Sequence, residues 1–289
     1  MKAILRLLRP KHWIKNLFIF VPTFFAGSLF QDSKLDQLIY GFLLFSMLAS
    51  SIYILNDIND VADDRIHPKK RLRPIASGAV KTSTAWIIMG IMVLVSLSSA
   101  LLLNSFFFYL LLGYFILNVG YSLGLKNIPI LDLFIVSFGF LLRVYCGGIL
   151  GDVEISHWLS IMILLLALFL IIAKRRDDLV IRGETGEIVR KSSQAYNLEF
   201  INSCITLLSA VVIVAYIMYT VSPEVIKRFN SNYLFATTIF VIAGIMRYLQ
   251  ITFVEQNSGS PTTILFRDKF ILITIIGWIT SFYVIIYAS

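Results

Sequence analysis

Long apolar runs separated by short polar ones set the plan of this 289-residue chain. A helix needs about 20 mostly apolar residues to cross a ~30 Å hydrocarbon core, and runs of that length recur almost from end to end. They predict nine helical spans, at residues 14–31, 36–56, 84–103, 106–124, 130–150, 156–173, 201–221, 232–254 and 270–288. Composition points the same way: 58% of residues are hydrophobic, 14% aromatic and only 15% charged, with a mean hydropathy of +0.82. Soluble globular domains do not have this make-up. The expected fold class is all-α, a polytopic membrane protein forming one domain over residues 1–289, with 1–13 as an interfacial N-terminal segment.

An odd number of spans puts the termini on opposite sides. With the N-terminus inside, most of the 25 Lys and Arg residues fall on the cytoplasmic side; Lys34, Lys227 and Arg228 fall on the other, and Arg143 lies within the fifth span. That is the excess the positive-inside rule requires. The expected location is therefore a bacterial cytoplasmic membrane, N-terminus cytoplasmic and C-terminus outside. Topology and anionic substrates account for the net charge of +8, which excludes nucleic acid as the partner the basic balance implies. Lys2, Arg6, Arg9, Lys11 and Lys15 precede an apolar run, as in a signal peptide. Their spread, with Leu5, Leu8, His12 and Trp13 able to form one face, suits a helix lying on the inner leaflet followed by a retained span. Cys146 and Cys204 sit in apolar segments and read as small hydrophobes, outside any disulfide or metal framework.

Candidate chemistry concentrates where the second span ends. Asp57, Asp60 and Asp64 are spaced by three and four; at 100° and 1.5 Å per residue they occupy a ~60° arc over roughly 10 Å. Asp63 points well away from that arc and reads as a solvated residue. Carboxylates are expensive inside a bilayer, so these should face a wet cavity. Hard oxygen ligands suit Mg²⁺ that keeps water and substrate phosphate in its shell, and the implied partner is a diphosphate. The alternative is a solvated helix end whose acids pair with nearby Lys and Arg. His67, beside Pro68, reads as a loop-shaping residue.

The run Asn56-Asp57, Asp60, Asp64-Arg65, His67-Pro68, Lys70-Arg71 and Arg73-Pro74-Ile75 closely resembles the first aspartate-rich motif of the UbiA superfamily of intramembrane prenyltransferases. The resemblance implies nine transmembrane helices around a central cavity open to the cytoplasm, Mg²⁺ bridging the aspartates to a substrate diphosphate, and a lateral opening for an isoprenoid tail. Most superfamily members carry a second acidic motif after helix 6. Here that place reads Lys174-Arg175-Arg176-Asp177-Asp178, mainly basic. The departure is similar to a branch that uses phosphoribosyl diphosphate as donor and a polyprenyl (decaprenyl-like) phosphate as acceptor. Weaker likenesses extend from Arg9-Pro10-Lys11-His12-Trp13-Ile14-Lys15-Asn16 through Tyr121-Ser122, Leu131-Asp132, Gly139 to Arg143, and Tyr196 with Phe200. Arg247-Tyr248, Gly259, Pro261 and Arg267-Asp268 carry it to the C-terminal end.

On that resemblance, Asp57, Asp60 and Asp64 are the catalytic, metal-holding residues, with Asp64 binding the ion through water or orienting a ribose hydroxyl. Asn56, Arg65, Lys70, Arg71 and Arg73 are expected to contact substrate, the arginines through bidentate charge-assisted bonds. An anionic polyprenyl phosphate needs little general-base help, and no Ser/His/Asp or Cys/His arrangement stands out. Lys15, Asn16, Tyr121 and Lys126 are expected at the cavity rim, the lysines alternatively as interfacial anchors. Tyr196 joins the expected substrate contacts. Arg143 is expected to meet a substrate phosphate or an acid such as Asp132. Lys174 and Arg175 either bind phosphate or are ordinary positive-inside flanks. The runner-up function is transfer of a prenyl group from its diphosphate to an aromatic or other small acceptor, which a second acidic motif would have favoured. A transporter or lipid-binding protein does not explain the aspartate triplet, and the signature of CDP-alcohol phosphotransferases is absent. The chain is compatible with a homo-oligomer.

Overall fold

The computed structural model describes residues 2–29, 34–66, 70–185, 192–256, 264 and 267–285, and every regular element among them is helical. Seven of these helices are long and apolar enough to cross a membrane. His67, Pro68, Gly259 and Pro261 lie outside the described residues.

The chain divides into two compact units. The first holds residues 1–126 and 139–155. It contains α1 (Lys2–Leu8), a 3-10 helix (Pro10–Phe20), α2 (Val21–Phe25), α3 (Lys34–Asn59), α4 (Val61–Ile66), α5 (Thr82–Leu103), α6 (Ser105–Leu123) and most of α7 (Leu131–Gly151). At its centre is α3, packed against α1, the 3-10 helix, α5 and α6. About 67% of the apolar stretch of α3 is buried, against 17% for α5. The reason is visible in the residue types. Gly41, Ser46, Ser50 and Ser51 let neighbours approach α3 closely, as small residues do between membrane helices. By contrast α5 turns Ile87, Ile91, Leu94 and Leu102 outward, where lipid is as good a solvent as protein. The α5–α6 break is set by Asn104, whose side chain accepts the amides of Phe106 and Phe107 at 2.9 and 3.1 Å, an N-cap.

The first expected span takes a different form. In place of an α-helix over 14–31, residues Pro10–Phe20 wind as a 3-10 helix before α2. A three-residue repeat stacks Trp13, Asn16 and Ile19 in one row, and that row faces inward. Trp13 Nε1 donates to Ser50 Oγ at 3.0 Å, Asn16 Nδ2 donates to Ser46 Oγ at 2.9 Å, and Ile19 is fully buried. Gly147 of α7 lies so close to the Ile19 backbone that a Cβ there would collide with its carbonyl. Preceding this helix, α1 is docked on protein through Leu7, buried among Ile54, Ile58, Ile75, Val80 and Ala85, while Ile4 and Leu5 are exposed.

The second unit holds residues 127–138 and 156–289. It comprises the first turns of α7, then α8 (His157–Thr185), α9 (Leu198–Thr220), α10 (Pro223–Phe229), α11 (Thr238–Phe253) and α12 (Lys269–Tyr283). Its core gathers Leu168, Phe169, Ile172, Ile201, Ile205, Tyr248, Ile251 and Ile271. The expected end of a span at residue 173 is corrected here: α8 continues to Thr185. Its 29 residues rise about 43 Å, longer than the hydrocarbon core, so Lys174–Asp178 sits on a helix. In a helix residues three apart are neighbours, and Arg175 pairs with Asp178 at 3.3 Å.

Candidate functional site

The aspartate-rich run keeps a helical path across the end of α3. The Asp60 amide donates to the Asn56 carbonyl at 2.9 Å and the Asp64 amide to the Asp60 carbonyl at 2.8 Å. The three acids therefore share a side, as their spacing predicts. The side chains of Asp57 and Asp64 are 1% and 2% exposed and that of Asp60 35%, whereas Asp63 is exposed.

Cations meet these acids one by one. Asp57 Oδ1 accepts Arg9 Nη2 at 2.5 Å and Arg73 Nη1 at 3.1 Å. The same Arg73 nitrogen reaches Asp64 Oδ2 at 2.7 Å, so one guanidinium bridges two carboxylates. Asp60 Oδ1 accepts Lys126 Nζ at 2.9 Å. Pairing with a neighbouring arginine, the alternative open at the sequence level, does occur. It leaves something over: Asp57 Oδ2 is buried and has no hydrogen-bond partner among the described residues. An orphaned buried acceptor costs about 1–3 kcal/mol, more when charged.

That oxygen bears on whether the residues fit a divalent ion. No three His, Cys, Asp or Glu side chains stand together as a ready cage among the described residues. The donors nevertheless suit Mg²⁺, being hard carboxylate oxygens, and Asp57 offers one oxygen with no hydrogen-bond partner among the described residues.

The remaining expected contacts divide. Arg65 and Arg71 are exposed, and Asn56, Lys70, Tyr121 and Lys15 are half-buried. Asn16 is buried and does not line an open rim. Its Oδ1 accepts Arg143 Nε at 2.8 Å. Arg143 also donates to Tyr114 Oη at 2.9 Å and to the Gly139 carbonyl, and its guanidinium lies over the rings of Phe45, Tyr114 and Phe140 at 4.8–5.4 Å. This corrects the expected pairing of Arg143 with Asp132. Both are on α7, eleven residues apart, which is about 16 Å along the axis. A buried charge is here satisfied by dipoles and ring faces.

Asp132 belongs to Arg175. In the second unit its Oδ2 accepts Arg175 Nε at 3.1 Å, Arg175 Nη2 at 2.9 Å and Ser192 Oγ at 3.0 Å, and Oδ1 accepts Tyr196 Oη at 3.4 Å. Arg175 is 1% exposed and also holds Asp178. Tyr196 Oη accepts the amide of Ile130, a β-branched residue at φ 66°, a backbone state that needs outside support. Burial pushes the Tyr196 hydroxyl above its ordinary pKa, so it stays protonated and able to donate. Lys174, by contrast, is exposed.

Sequence reasoning missed Arg9 as a site residue. The signal was present on α3, where Ser46, Ser50, Tyr53 and Asp57 recur at spacings of four, three and four, a single helical face. The N-terminal segment zips along it. Ser50 Oγ donates to the Leu8 carbonyl at 2.8 Å, His12 packs on Tyr53, and Arg9 lies 5.2 Å above the Tyr53 ring before reaching Asp57.

Comparison with known proteins places this geometry. The sequence model described as the UbiA prenyltransferase family matches residues 18–176. The decaprenyl-phosphate phosphoribosyltransferase of Mycolicibacterium smegmatis is 30% identical over 297 residues, covering 99% of this chain and 93% of that protein. The protein of the same name from Corynebacterium glutamicum is 28% identical, covering 99% and 87%. Among solved structures, a UbiA homolog from Archaeoglobus fulgidus bound to GPP and Mg²⁺ superposes with a TM-score of 0.72 at 22% identity, covering 98% of this chain and 99% of its own.

Proposed function

The chain belongs to the UbiA prenyltransferase family, and on that premise we propose that it moves 5-phosphoribose from phosphoribosyl diphosphate to a polyprenyl phosphate at the cytoplasmic membrane face, releasing diphosphate. It is an integral membrane transferase of that family. Its finer architecture is proposed as nine spans in one domain around a cavity open to the cytoplasm, in a bacterial inner membrane with the N-terminus inside.

One observation favours phosphoribosyl over prenyl transfer. Asp178, one of two acids in the Lys174–Asp178 run, is tied to the buried Arg175, which also holds Asp132. Carboxylates neutralised in this way offer poor purchase to a second ion of the kind a prenyl diphosphate would bring. Relatives named decaprenyl-phosphate phosphoribosyltransferase align along nearly the whole of both chains, which supports the same donor and acceptor.

Asp57, Asp60 and Asp64 would hold Mg²⁺, which when bound supplies Lewis-acid stabilisation of the departing diphosphate. The protein's own groups do the rest. Arg73 sits on two of these acids and presents its fork to the donor phosphates; exposed Arg65 and Arg71, with Lys70 and Lys174, raise the local concentration of an anionic donor. Asn56, Lys15, Tyr121 and Lys126 complete the contacts. Asn16 with Arg143, and Arg175 and Tyr196 through their shared partner Asp132, act as positioning groups that fix helices carrying the contacts. The acceptor oxygen is already anionic and attacks the anomeric carbon without a general base.

The test is incubation of the purified protein with Mg²⁺, labelled phosphoribosyl diphosphate and a polyprenyl phosphate. Label extracted with the lipid is expected. Label that stays aqueous, with transfer instead from a polyprenyl diphosphate to a small aromatic acceptor, overturns the reading in favour of prenyl transfer.

A further inference from the structure

We infer that Arg9 is the displaceable counter-ion of Asp57: it holds the carboxylate until a divalent cation takes that place, and the released guanidinium then binds the phosphates of the incoming donor. The inference rests on the proposed metal site and adds to it a residue and an order of events.

Three observations carry it. First, Asp57 Oδ1 is doubly occupied, by Arg9 and Arg73, while Oδ2 of the same buried group has no hydrogen-bond partner among the described residues. A carboxylate with one crowded and one vacant oxygen is poised for exchange. A cation entering at Oδ2 meets two guanidinium charges at Oδ1, and the one without a second acid to hold it in this cluster gives way. Arg73 is retained by Asp64 at 2.7 Å; Asp57 is the acid Arg9 reaches.

Second, Arg9 is held in place by its backbone. It adopts φ 52°, ψ 55°, in the left-handed region, immediately before Pro10, a combination that costs a non-glycine residue free energy. Neighbouring bonds impose it: the Leu8 carbonyl is fixed to Ser50, Trp13 is fixed to the same Ser50, and Leu7 is buried. Strain kept in place by such over-determination is characteristic of functional positions.

Third, the guanidinium has somewhere to go. It lies 5.2 Å above the ring of Tyr53, one helical turn before Asp57. With its carboxylate taken, Arg9 keeps that cation–π support and is one side-chain rotation from the region a metal-bound diphosphate would enter. A side chain 23% exposed can make that rotation. Two positive charges arrive with the ion, and the arginine charge passes from the protein acid to the substrate anion, whose own negative charge both offset.

Mn²⁺ binding, followed by its electron paramagnetic resonance signal in detergent-purified protein without donor, tests the first half. Binding that is present in the wild type and lost in Asp57→Asn establishes the site; binding present in neither overturns the metal reading itself. Given the site, Arg9→Gln is expected to bind Mn²⁺ about five- to tenfold more tightly, because the competitor is gone. Equal or weaker Mn²⁺ binding by Arg9→Gln, with an unchanged melting profile, overturns the inference and leaves the metal site standing. If Arg9→Gln melts early, Arg9→Met substitutes for it, keeping the stem and removing the charge, with tighter Mn²⁺ binding again expected. The second half is read with inorganic diphosphate at saturating Mg²⁺. Its affinity is expected to fall about tenfold in Arg9→Gln, opposite in direction to the metal effect. A purely structural role would move both affinities down together, and an unchanged diphosphate affinity would contradict the released-guanidinium step.

Discussion

Two arginine–carboxylate clusters in this protein use the same chemistry to opposite ends. Around Asp57, two arginines crowd one oxygen, the other has no hydrogen-bond partner among the described residues, and the cations are about a quarter exposed. Around Asp132, one fully buried arginine makes a two-nitrogen contact with the carboxylate, and a serine and a tyrosine complete its acceptor capacity. The second cluster is saturated and sealed, as a buried ion pair must be to offset its desolvation. The first is unfinished. An unfinished cluster at the end of a span can exchange partners; a finished one fixes helices.

That contrast can be broken or sharpened by experiment. The largest effect is expected from chelation. EDTA should reduce transfer about a thousandfold, since a bound ion contributes several kcal/mol to transition-state stabilisation, while circular dichroism stays unchanged; full activity under EDTA would remove the reason for an exchangeable cluster. Next, Asp132→Ala removes both short bonds of the buried Arg175 guanidinium and leaves it the 3.3 Å contact with Asp178, and should destabilise the protein by up to about 3–5 kcal/mol, read as early melting in detergent. A normal melting profile would show that the second cluster is not structural. Arg143→Ala strands Asn16 Oδ1 and Tyr114 Oη, at about 1–3 kcal/mol for each group left unpaired; Arg143→Lys should recover only part, because it lacks the planar fork and the ring stacking.

The smallest effect concerns the half-buried Arg247–Asp268 pair. The hydrogen bond from Arg247 holds the Asp268 carboxyl below its usual range, and the Ile271 amide adds to this. A carboxylate with a lowered native pKa stabilises the fold fully above its unfolded value, near pH 3.9, and loses that contribution as pH falls through the native value. Asp268→Asn should therefore lower stability slightly at pH 7 and flatten the further loss below about pH 4, where the wild type gives up the same contribution.

Local periodicity was the legible part of this molecule. The aspartate face and the outward direction of Asp63 follow from 100° per residue, and the long apolar runs mark the helices because lipid demands them. Contacts distant in sequence were less accessible. Arg9 and Asp57 are 48 residues apart, and Arg175 and Asp132 are 43 apart; nothing in either segment alone names its partner. The 3-10 winding of Pro10–Phe20 follows from a row, Trp13, Asn16 and Ile19, that acquires meaning only against the serines of α3. A buried charge in a span leads one to expect a substrate phosphate or an acid beside Arg143; three rings and three neutral acceptors serve there.

The account stands most directly on the face formed by Asp57, Asp60 and Asp64. Transfer of labelled phosphoribose to polyprenyl phosphate, measured side by side for Asp57→Ala and Asp63→Ala, isolates it. The expected result is loss of transfer to background in Asp57→Ala, with most of the wild-type rate kept in Asp63→Ala. Equal loss in both, or a wild-type rate in Asp57→Ala, would contradict it.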